Sequence, residues 1–247
     1  MMTSFPRAKV LLGVPTGGTP LAPFVRALLD LQRFELCEPD PRYELLPIDF
    51  AQSIYVASNR NKLVRIAREA GADWLLQLDD DESFEPHALR QLMDTALALP
   101  ADIVFGLYAN TQPAPEGIEG GFIFADMIYR ELPNGAYENI VPPLDSRPFR
   151  VDAAGSGVLL TRLTVFDRLA PPYFDTPTIQ VLGEEAAGPR EMNEDIYFCR
   201  IAREAGFSLW CDPRVEAKHY KRLPLLASPM RRFLARAHQV EKEMSGL

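Results

Sequence analysis

The stretch Trp74–Glu82, which reads WLLQLDDDE, decides the fold class of this chain of 247 residues. Its first five residues are apolar except Gln77, and such a short continuous run predicts a strand buried on both faces, as in parallel sheets. Four carboxylates, Asp79–Glu82, follow the strand directly. Neighbouring carboxylates repel one another, and a bound cation relieves that repulsion most easily. The sequence therefore predicts a cation site at the carboxyl end of a buried strand.

The oxygen-rich character of this stretch favours a hard divalent cation. Carboxylates without a nearby cysteine or paired histidine favour Mg²⁺ or Mn²⁺ over zinc or copper. Asp79 and Asp81 can converge on one cation where the chain turns out of the strand, although Asp80 and Glu82 could form the working pair instead. The structural alternative is that Asp81 and Glu82 only cap the next helix and compensate its dipole.

Strands and helices alternate outward from this stretch through the first half of the chain. Strands are predicted at 8–14, 43–48, 74–78 and 103–108. Helices are predicted between them, from Thr19 as N-cap to 34, from Ser58 to a stop at Gly71, and from Ser83 to 97. This alternation predicts an α/β fold with a mostly parallel central sheet flanked by helices, and such sheets bind ligands at the carboxyl ends of their strands.

The second half of the chain has a different pattern of residues. After Asn110, Gly, Pro and Glu separate short strand-like pieces, which we interpret as a smaller β-rich part that shapes the pocket. We therefore predict one domain over 1–247, with a half at about 1–110, a second half at about 111–225 and a C-terminal amphipathic helix at about 228–244. That basic helix could lie weakly on a membrane surface, but packing on the protein's own body or on a second copy is favoured.

Composition limits the function classes. Hydrophobic residues make up 47% and charged residues 24% of the chain, as in ordinary globular proteins. The formal net charge of −8 argues against a long basic surface for duplex nucleic acid, so no nucleic-acid partner is predicted. No apolar run approaches the roughly 18 residues of a membrane span. Three cysteines without metal-ligand spacing fit a reducing compartment, and a soluble, cytoplasmic protein is predicted.

Two further groups could carry chemistry. Glu194 and Asp195 lie in the first turn of a predicted helix behind Asn193, and a long loop of about twenty residues precedes them. Acids in that position compensate the helix dipole, but one carboxylate facing a pocket could also act as a general base toward a hydroxyl. His219 lies in an extended piece after Pro213. A lone histidine gains interest only beside a metal.

Together these groups resemble the GT-A type glycosyltransferases related to glycosyltransferase family 2. The resemblance covers most of the chain. It rests on the strand Val10–Thr16, the triplet Asn59–Asn61, the D-x-D-like Leu78–Asp81, the pair Glu194–Asp195 and, further along, His219.

The resemblance implies a metal-dependent hexosyltransferase-type enzyme that moves a sugar from a nucleoside-diphosphate sugar to a saccharide or other hydroxyl acceptor. It implies Mn²⁺ or Mg²⁺ held by Asp79, Asp81 and His219. It further implies donor contacts from Pro15, Thr16, Arg60, Asp79 and Asp80, catalytic roles for Asp195 and Glu194, and an acceptor side that includes Asp152 and Gly155.

The chemistry leaves alternatives open. If Asp195 takes the acceptor proton, transfer inverts the anomeric configuration; if it only orients the acceptor, configuration is retained. A Q-x-x-R-W-type run is missing after Asp195, which favours single addition over polymerisation. A sugar-phosphate nucleotidyltransferase could share the fold, but the loop Gly17–Leu21 lacks a basic residue for a triphosphate. A non-catalytic protein that binds a nucleotide or carbohydrate is the third reading.

Overall fold

The computed structural model describes residues 7–113, 122–183 and 188–221. The chain forms two compact units, one of residues 1–110 and 125–219 and another of residues 111–124 and 220–247. All the site residues discussed below belong to the first unit. The predicted C-terminal helix at about 228–244 lies outside the described residues, and the division into halves of one domain stays a prediction.

A mixed, mostly parallel sheet forms the centre of the first unit. Its path runs β10-β15-β6-β12-β4-β1-β2, with β3 also beside β1. Strands β2, β3 and β4 run parallel to β1, and β15 runs parallel to β6. Strand β12 is antiparallel to both β4 and β6. The strands are β1 (Ala8–Thr16), β2 (Tyr43–Leu45), β3 (Asp49–Gln52), β4 (Trp74–Leu78), β6 (Ile103–Pro113), β10 (Phe149–Val151), β12 (Val158–Arg162) and β15 (Leu209–His219).

Helices cover both faces of this sheet. Helices α1 (Ala22–Cys37) and α3 (Ala88–Ala98) bury Phe24, Leu31 and Leu92 on one face. Helices α2 (Val56–Glu69) and α4 (Glu194–Glu204) bury Leu63 and Phe198 on the other. Each fully buried side chain of this size contributes roughly 1.5–3 kcal/mol of hydrophobic stabilisation. The predicted α/β class with a mostly parallel sheet between helices is confirmed.

Smaller strands complete the fold. Strand β5 (Glu82–Ser83) pairs with the end of β15, and β7 (Phe122–Asp126) pairs with β6. A second sheet has the order β11-β8-β9, and β13 pairs with β14. These strands are β8 (Ile128–Glu131), β9 (Tyr137–Asn139), β11 (Ala153–Ala154), β13 (Thr178–Ile179) and β14 (Arg190–Glu191). They confirm the smaller β-rich part.

Several predicted boundaries were wrong. Helix α1 begins at Ala22, not behind Thr19, because the amide of Leu21 donates to the Asp80 carbonyl (2.9 Å) and holds this segment as a loop. Helix α2 begins two residues before Ser58. Its predicted end is right, since Gly71 has a φ of 65°, a left-handed conformation that glycine adopts without steric cost.

In the part of the chain that the structure describes, no helix combines the length and the apolar character that crossing a membrane requires.

Candidate active site

The three aspartates after β4 have three different partners. Both carboxylate oxygens of Asp79 accept hydrogen bonds from Arg60 Nη2, at 2.8 and 3.0 Å. The carboxylate of Asp80 accepts the hydroxyl hydrogen of Thr16, at the end of β1. Asp81 Oδ2 lies 3.2 Å from His219 Nε2, at the end of β15. The acidic turn therefore connects helix α2, strand β1 and strand β15.

Arg60 is buried next to this turn and contacts several segments of the chain. Its side chain is only 2% exposed, although arginine is seldom buried unless it is paired. Besides Asp79, it contacts Glu194 Oε1 through Nε (3.3 Å) and donates from Nη1 to the carbonyl of Ser156 (3.1 Å). The guanidinium thus links the end of β4, the start of α4 and the segment before β12. Its predicted contact with a donor stays a prediction.

The two neighbours of Arg60 hold other segments in place. Asn59 donates from Nδ2 to the carbonyls of Thr16 (3.1 Å) and Ser53 (3.0 Å). Asn61 donates to the Phe174 carbonyl (2.7 Å) and accepts from the Tyr173 amide (2.9 Å). Three consecutive polar residues on one helix therefore connect several segments around the site. Sequence reasoning noted the triplet Asn59–Asn61 only as part of a resemblance and missed the roles of the two asparagines.

The first turn of α4 supplies two carboxylates of different character. Glu194 is paired with Arg60, whereas Asp195 is 9% exposed and accepts the Ile196 amide hydrogen at 2.7 Å. Burial raises the pKa of Asp195 to about 7, and the neighbouring Glu194 charge adds to the rise. Asn193 stands at the predicted N-cap, but its side chain makes no capping hydrogen bond. A carboxylate with a pKa near neutrality is suited to proton transfer.

His219 contacts strand β6 on one side and the acidic turn on the other. Its Nδ1 lies 3.3 Å from the Ala109 carbonyl on β6, while its Nε2 faces Asp81. The ring of Tyr108 meets the imidazole edge to face, with ring centres 5.3 Å apart. These contacts fix the ring orientation and leave Nε2 on the side of the acidic turn.

Pro15 and Thr16 lie at the carboxyl end of β1. Pro15 is buried opposite Ala51 of β3. Besides donating to Asp80, the Thr16 hydroxyl accepts the Gly18 amide hydrogen (2.9 Å). Thr16 therefore stands directly beside the acidic turn, and its contact with a donor stays a prediction.

Comparison with known proteins places this geometry in a fold family. The sequence matches no protein-family model and no curated protein. The structure is similar to A197 from STIV, with a TM-score of 0.55 and 16% identity over 87% of this chain and 86% of that one. It is also similar to GalNAc-T7, solved with UDP, GalNAc and Mn²⁺, with a TM-score of 0.53 and 12% identity. That match covers 87% of this chain and 43% of GalNAc-T7, so the chain spans less than half of that protein.

The chain has a GT-A fold. At these identities the likeness shows the fold alone, and it confirms the resemblance at that level. Asp79, Asp81 and Thr16 stand at the carboxyl ends of parallel strands in this GT-A sheet, which is where open α/β sheets bind ligands.

Two glycines shape the interior of the GT-A site. A Cβ atom on Gly155 would overlap the hydroxyl of Tyr108, and one on Gly157 would overlap the carboxylate of Glu82. Tyr108 and Glu82 are both buried. Burial raises the pKa of Tyr108 well above its usual range, and the charges of Glu82, Asp195 and Asp79 add to the rise. Sequence reasoning missed Tyr108, because a tyrosine within an apolar strand carries no local signal of function.

Asp152 contacts strand β8 and helix α4. Its Oδ2 accepts the Glu131 amide hydrogen (2.9 Å), and its Oδ1 is 3.6 Å from Arg203 Nε. These contacts join β8 to the outer side of α4. The predicted place of Asp152 on the acceptor side stays a prediction.

The side chains of Asp81 and His219 fit a divalent cation. A carboxylate oxygen and an imidazole nitrogen at 3.2 Å offer two ligands of types that Mn²⁺ accepts. Among the described residues no group of three or more His, Cys, Asp or Glu could hold a metal ion. Two protein ligands suffice where substrate phosphates complete the coordination, as they do in many Mg²⁺ sites.

Proposed function

We propose that this chain is a metal-dependent glycosyltransferase that transfers a hexosyl group from a nucleoside-diphosphate sugar to an acceptor hydroxyl, one sugar at a time. The observation that carries this proposal is the approach of His219 to Asp81 at the strand ends of a GT-A sheet. The buried Arg60 joins that acidic turn to Glu194. A neighbour of the same fold, GalNAc-T7, was solved with UDP, GalNAc and Mn²⁺, which supports a uridine diphosphate donor.

Asp81 and His219 would hold the cation, Mn²⁺ or Mg²⁺. When bound, that cation supplies Lewis-acid stabilisation of the charge that develops on the departing diphosphate. Asp79 stays a candidate ligand or ribose contact, and Arg60 fixes both of its oxygens from the protein interior. Asp80 and Thr16 lie on the β1 side of the same turn, where they can contact the donor.

Asp195 would take the proton of the acceptor hydroxyl. A hydroxyl is a weak nucleophile at neutral pH, and a base that removes its proton during attack on the anomeric carbon accelerates transfer. The pKa of Asp195, raised by burial to about 7, lies near the pH at which such a base works best. Glu194 would position this turn through its contact with Arg60. With Asp195 as the base, transfer inverts the anomeric configuration.

Thermal melting against a panel of nucleoside diphosphates, each with and without Mn²⁺, tests donor and metal together. A ligand that binds only the folded state raises the melting temperature. We expect a Mn²⁺-dependent rise with UDP that Asp81→Asn removes and Asp195→Asn retains. Asp40→Asn, which changes a buried aspartate of a distant loop, is the matched control and should respond like the wild type. A flat panel with folded protein would contradict the proposal.

Turnover distinguishes this proposal from the alternatives. A glycosyltransferase hydrolyses its nucleotide sugar slowly without acceptor, and we expect Asp195→Asn to bind the donor but lose transfer. Release of pyrophosphate from a nucleoside triphosphate and a sugar phosphate would instead support a nucleotidyltransferase. A product that keeps the anomeric configuration of the donor would exclude Asp195 from the role of base.

A further inference from the structure

Strand β15 runs beside β6 in two stretches whose registers differ. In the first stretch Asp212 lies opposite Gly106, and in the second Glu216 lies opposite Leu107. Between these two pairs β15 advances by four residues while β6 advances by one. Residues 213–215 are extra residues in β15, in the manner of an enlarged β-bulge, and such bulges re-aim the side chains that follow them.

This bulge decides which side chain reaches the acidic turn. After it, the pairing of β15 with β5 places His219 opposite Glu82, and the imidazole meets Asp81. In an uninterrupted register the residue three positions earlier, Glu216, would take the place of His219. A carboxylate there would face the acids of the turn and repel them. The bulge therefore brings an imidazole nitrogen, rather than a further carboxylate, to Asp81.

Three hydrogen-bonded side chains, those of Asp212, Arg214 and Thr95, hold the bulge, and we call them the clasp. The fully buried Asp212 carboxylate accepts hydrogen bonds from the Arg214 amide (3.0 Å), from Arg214 Nε (2.9 Å) and Nη2 (2.7 Å), and from the Thr95 hydroxyl (2.6 Å). Arg214 Nη2 also donates to the Thr95 oxygen (2.9 Å). Thr95 lies on α3, so the clasp fixes the start of the bulge to a helix.

Packing supports the same register. Val215, the last residue of the bulge, is buried against Gly106, where a Cβ atom would lie only 3.1 Å from a Val215 methyl group. A glycine at 106 therefore makes room for the bulge. Strand β15 connects the clasp to His219 and so to the acidic turn.

We propose that the clasp is a positioning device, in which Asp212 and Thr95 set the register of β15 and thereby place His219 against Asp81. The part of this inference that concerns metal binding rests on the proposed function, since it makes Asp212 a positioning residue for a metal ligand. The part that concerns the place of His219 does not.

The chain contains a matched control for this clasp. Asp40-Pro41-Arg42 repeats the sequence of Asp212-Pro213-Arg214. Asp40 accepts the Arg42 amide (2.8 Å) and Nε (2.9 Å) hydrogens, and Arg42 Nη1 reaches Asp94 on α3 (2.6 Å). The aspartate is buried in both places, and the side chains of Arg42 and Arg214 are 40% and 39% exposed. Of these two clusters, only the clasp at Asp212 lies on a strand that leads to His219.

Imidazole NMR at a fixed pH tests the position of His219. The chain has three histidines, and the cross-peaks of His219 are assigned by their loss in His219→Gln. We expect these cross-peaks to shift in Asp212→Asn and to stay in place in the control Asp40→Asn. The milder variant Thr95→Val should shift them too, and it replaces Asp212→Asn in the test if that variant does not fold. Unmoved cross-peaks in the clasp variants, or an equal shift in Asp40→Asn, would overturn the proposal.

Titration of the protein with Mn²⁺ in the presence of UDP tests the metal part. Loss of a residue that directly orients a metal ligand typically costs roughly 10- to 100-fold in metal affinity, and Asp212 acts on His219 through the strand, so we expect Asp212→Asn to weaken Mn²⁺ binding by about 10-fold, the lower end of that range. In a His219→Gln background, Asp212→Asn should cause no further weakening, because its effect passes through His219. A full additional loss in that background would overturn the proposal. Shifted cross-peaks with no Mn²⁺ binding by the wild type would support the positioning role and refute the metal site.

Discussion

Replacing Arg60 by methionine tests whether the buried guanidinium holds the site together. The substitution keeps an unbranched apolar stem and removes the charge of the guanidinium and its hydrogen bonds to Asp79, Glu194 and Ser156. Two carboxylates then lose their counter-charge. Breaking a buried ion pair from one side costs about 3–5 kcal/mol. The side chains of Asp79 and Glu194 are 24% and 13% exposed, so water partly solvates the carboxylates that lose their partner. We therefore expect the free energy of unfolding to fall by about 3 kcal/mol, at the lower end of that range.

Calorimetric melting measures this loss. For a chain of this size, 1 kcal/mol shifts the melting temperature by roughly 2–4 °C, so Arg60→Met should melt about 6–12 °C below the wild type. The exposed pair Arg26–Asp30 gives a control, and Arg26→Met should melt close to the wild type.

The pH dependence sharpens this test. Burial already raises the pKa of Asp79 in the wild type, and loss of the Arg60 charge, which opposes that rise, raises the pKa further in the variant. The folded variant then binds more protons than its unfolded chain, so its deficit relative to the wild type is largest near pH 8 and shrinks toward pH 5. Adding Glu194→Gln should restore part of the stability. A deficit under about 1 kcal/mol, or one that does not change with pH, would refute the reasoning.

Four further outcomes are expected. Gly155→Ala should destabilise the fold because its methyl group meets the Tyr108 side chain. Adding Tyr108→Phe removes the hydroxyl but leaves ring atom Cζ 2.7 Å from the methyl group, so the double variant should recover part of the lost melting temperature, whereas equal melting of both variants would contradict the overlap. Transfer should rise with pH through about 7 as Asp195 loses its proton, and Glu194→Gln should move this limb to lower pH, as rate profiles would show. Because the folded pKa of Asp195 is raised, ionisation destabilises the fold as pH rises from about 4 to about 7, so Asp195→Asn should raise the melting temperature more at pH 8 than at pH 5. Chelation of divalent metal should abolish UDP-dependent stabilisation of the wild type and leave Asp81→Asn unchanged.

The order of strands and helices could be predicted from the sequence, whereas several starting residues could not. The buried strand Trp74–Leu78 is recognised from its apolar run alone, and its predicted bounds are right. The start of α1 was misplaced because a long-range hydrogen bond from Leu21 to the Asp80 carbonyl decides it. Periodicity reports which residues face the core, and it carries no information about bonds between distant segments.

The candidate site shows the same division at the level of single side chains. Asp81 and His219 were selected from the sequence by residue type and by resemblance, but they are 138 positions apart in the chain. They meet in the register that β15 has after its bulge, and no local pattern predicts that register. Arg60 was selected as a donor contact, and only the fold reveals that its guanidinium is buried between Asp79 and Glu194. Tyr108 was not selected at all.

The sequence by itself determined the α/β class, the acidic end of β4 and the types of chemistry that carboxylates and one histidine can offer, because apolar periodicity and residue type are local properties. The tertiary structure alone decided which carboxylate meets the histidine, which one the buried arginine neutralises and which one has its pKa raised to about 7. Those outcomes depend on strand register, on burial and on charges that other elements contribute, and none of these is encoded within a single segment of the chain.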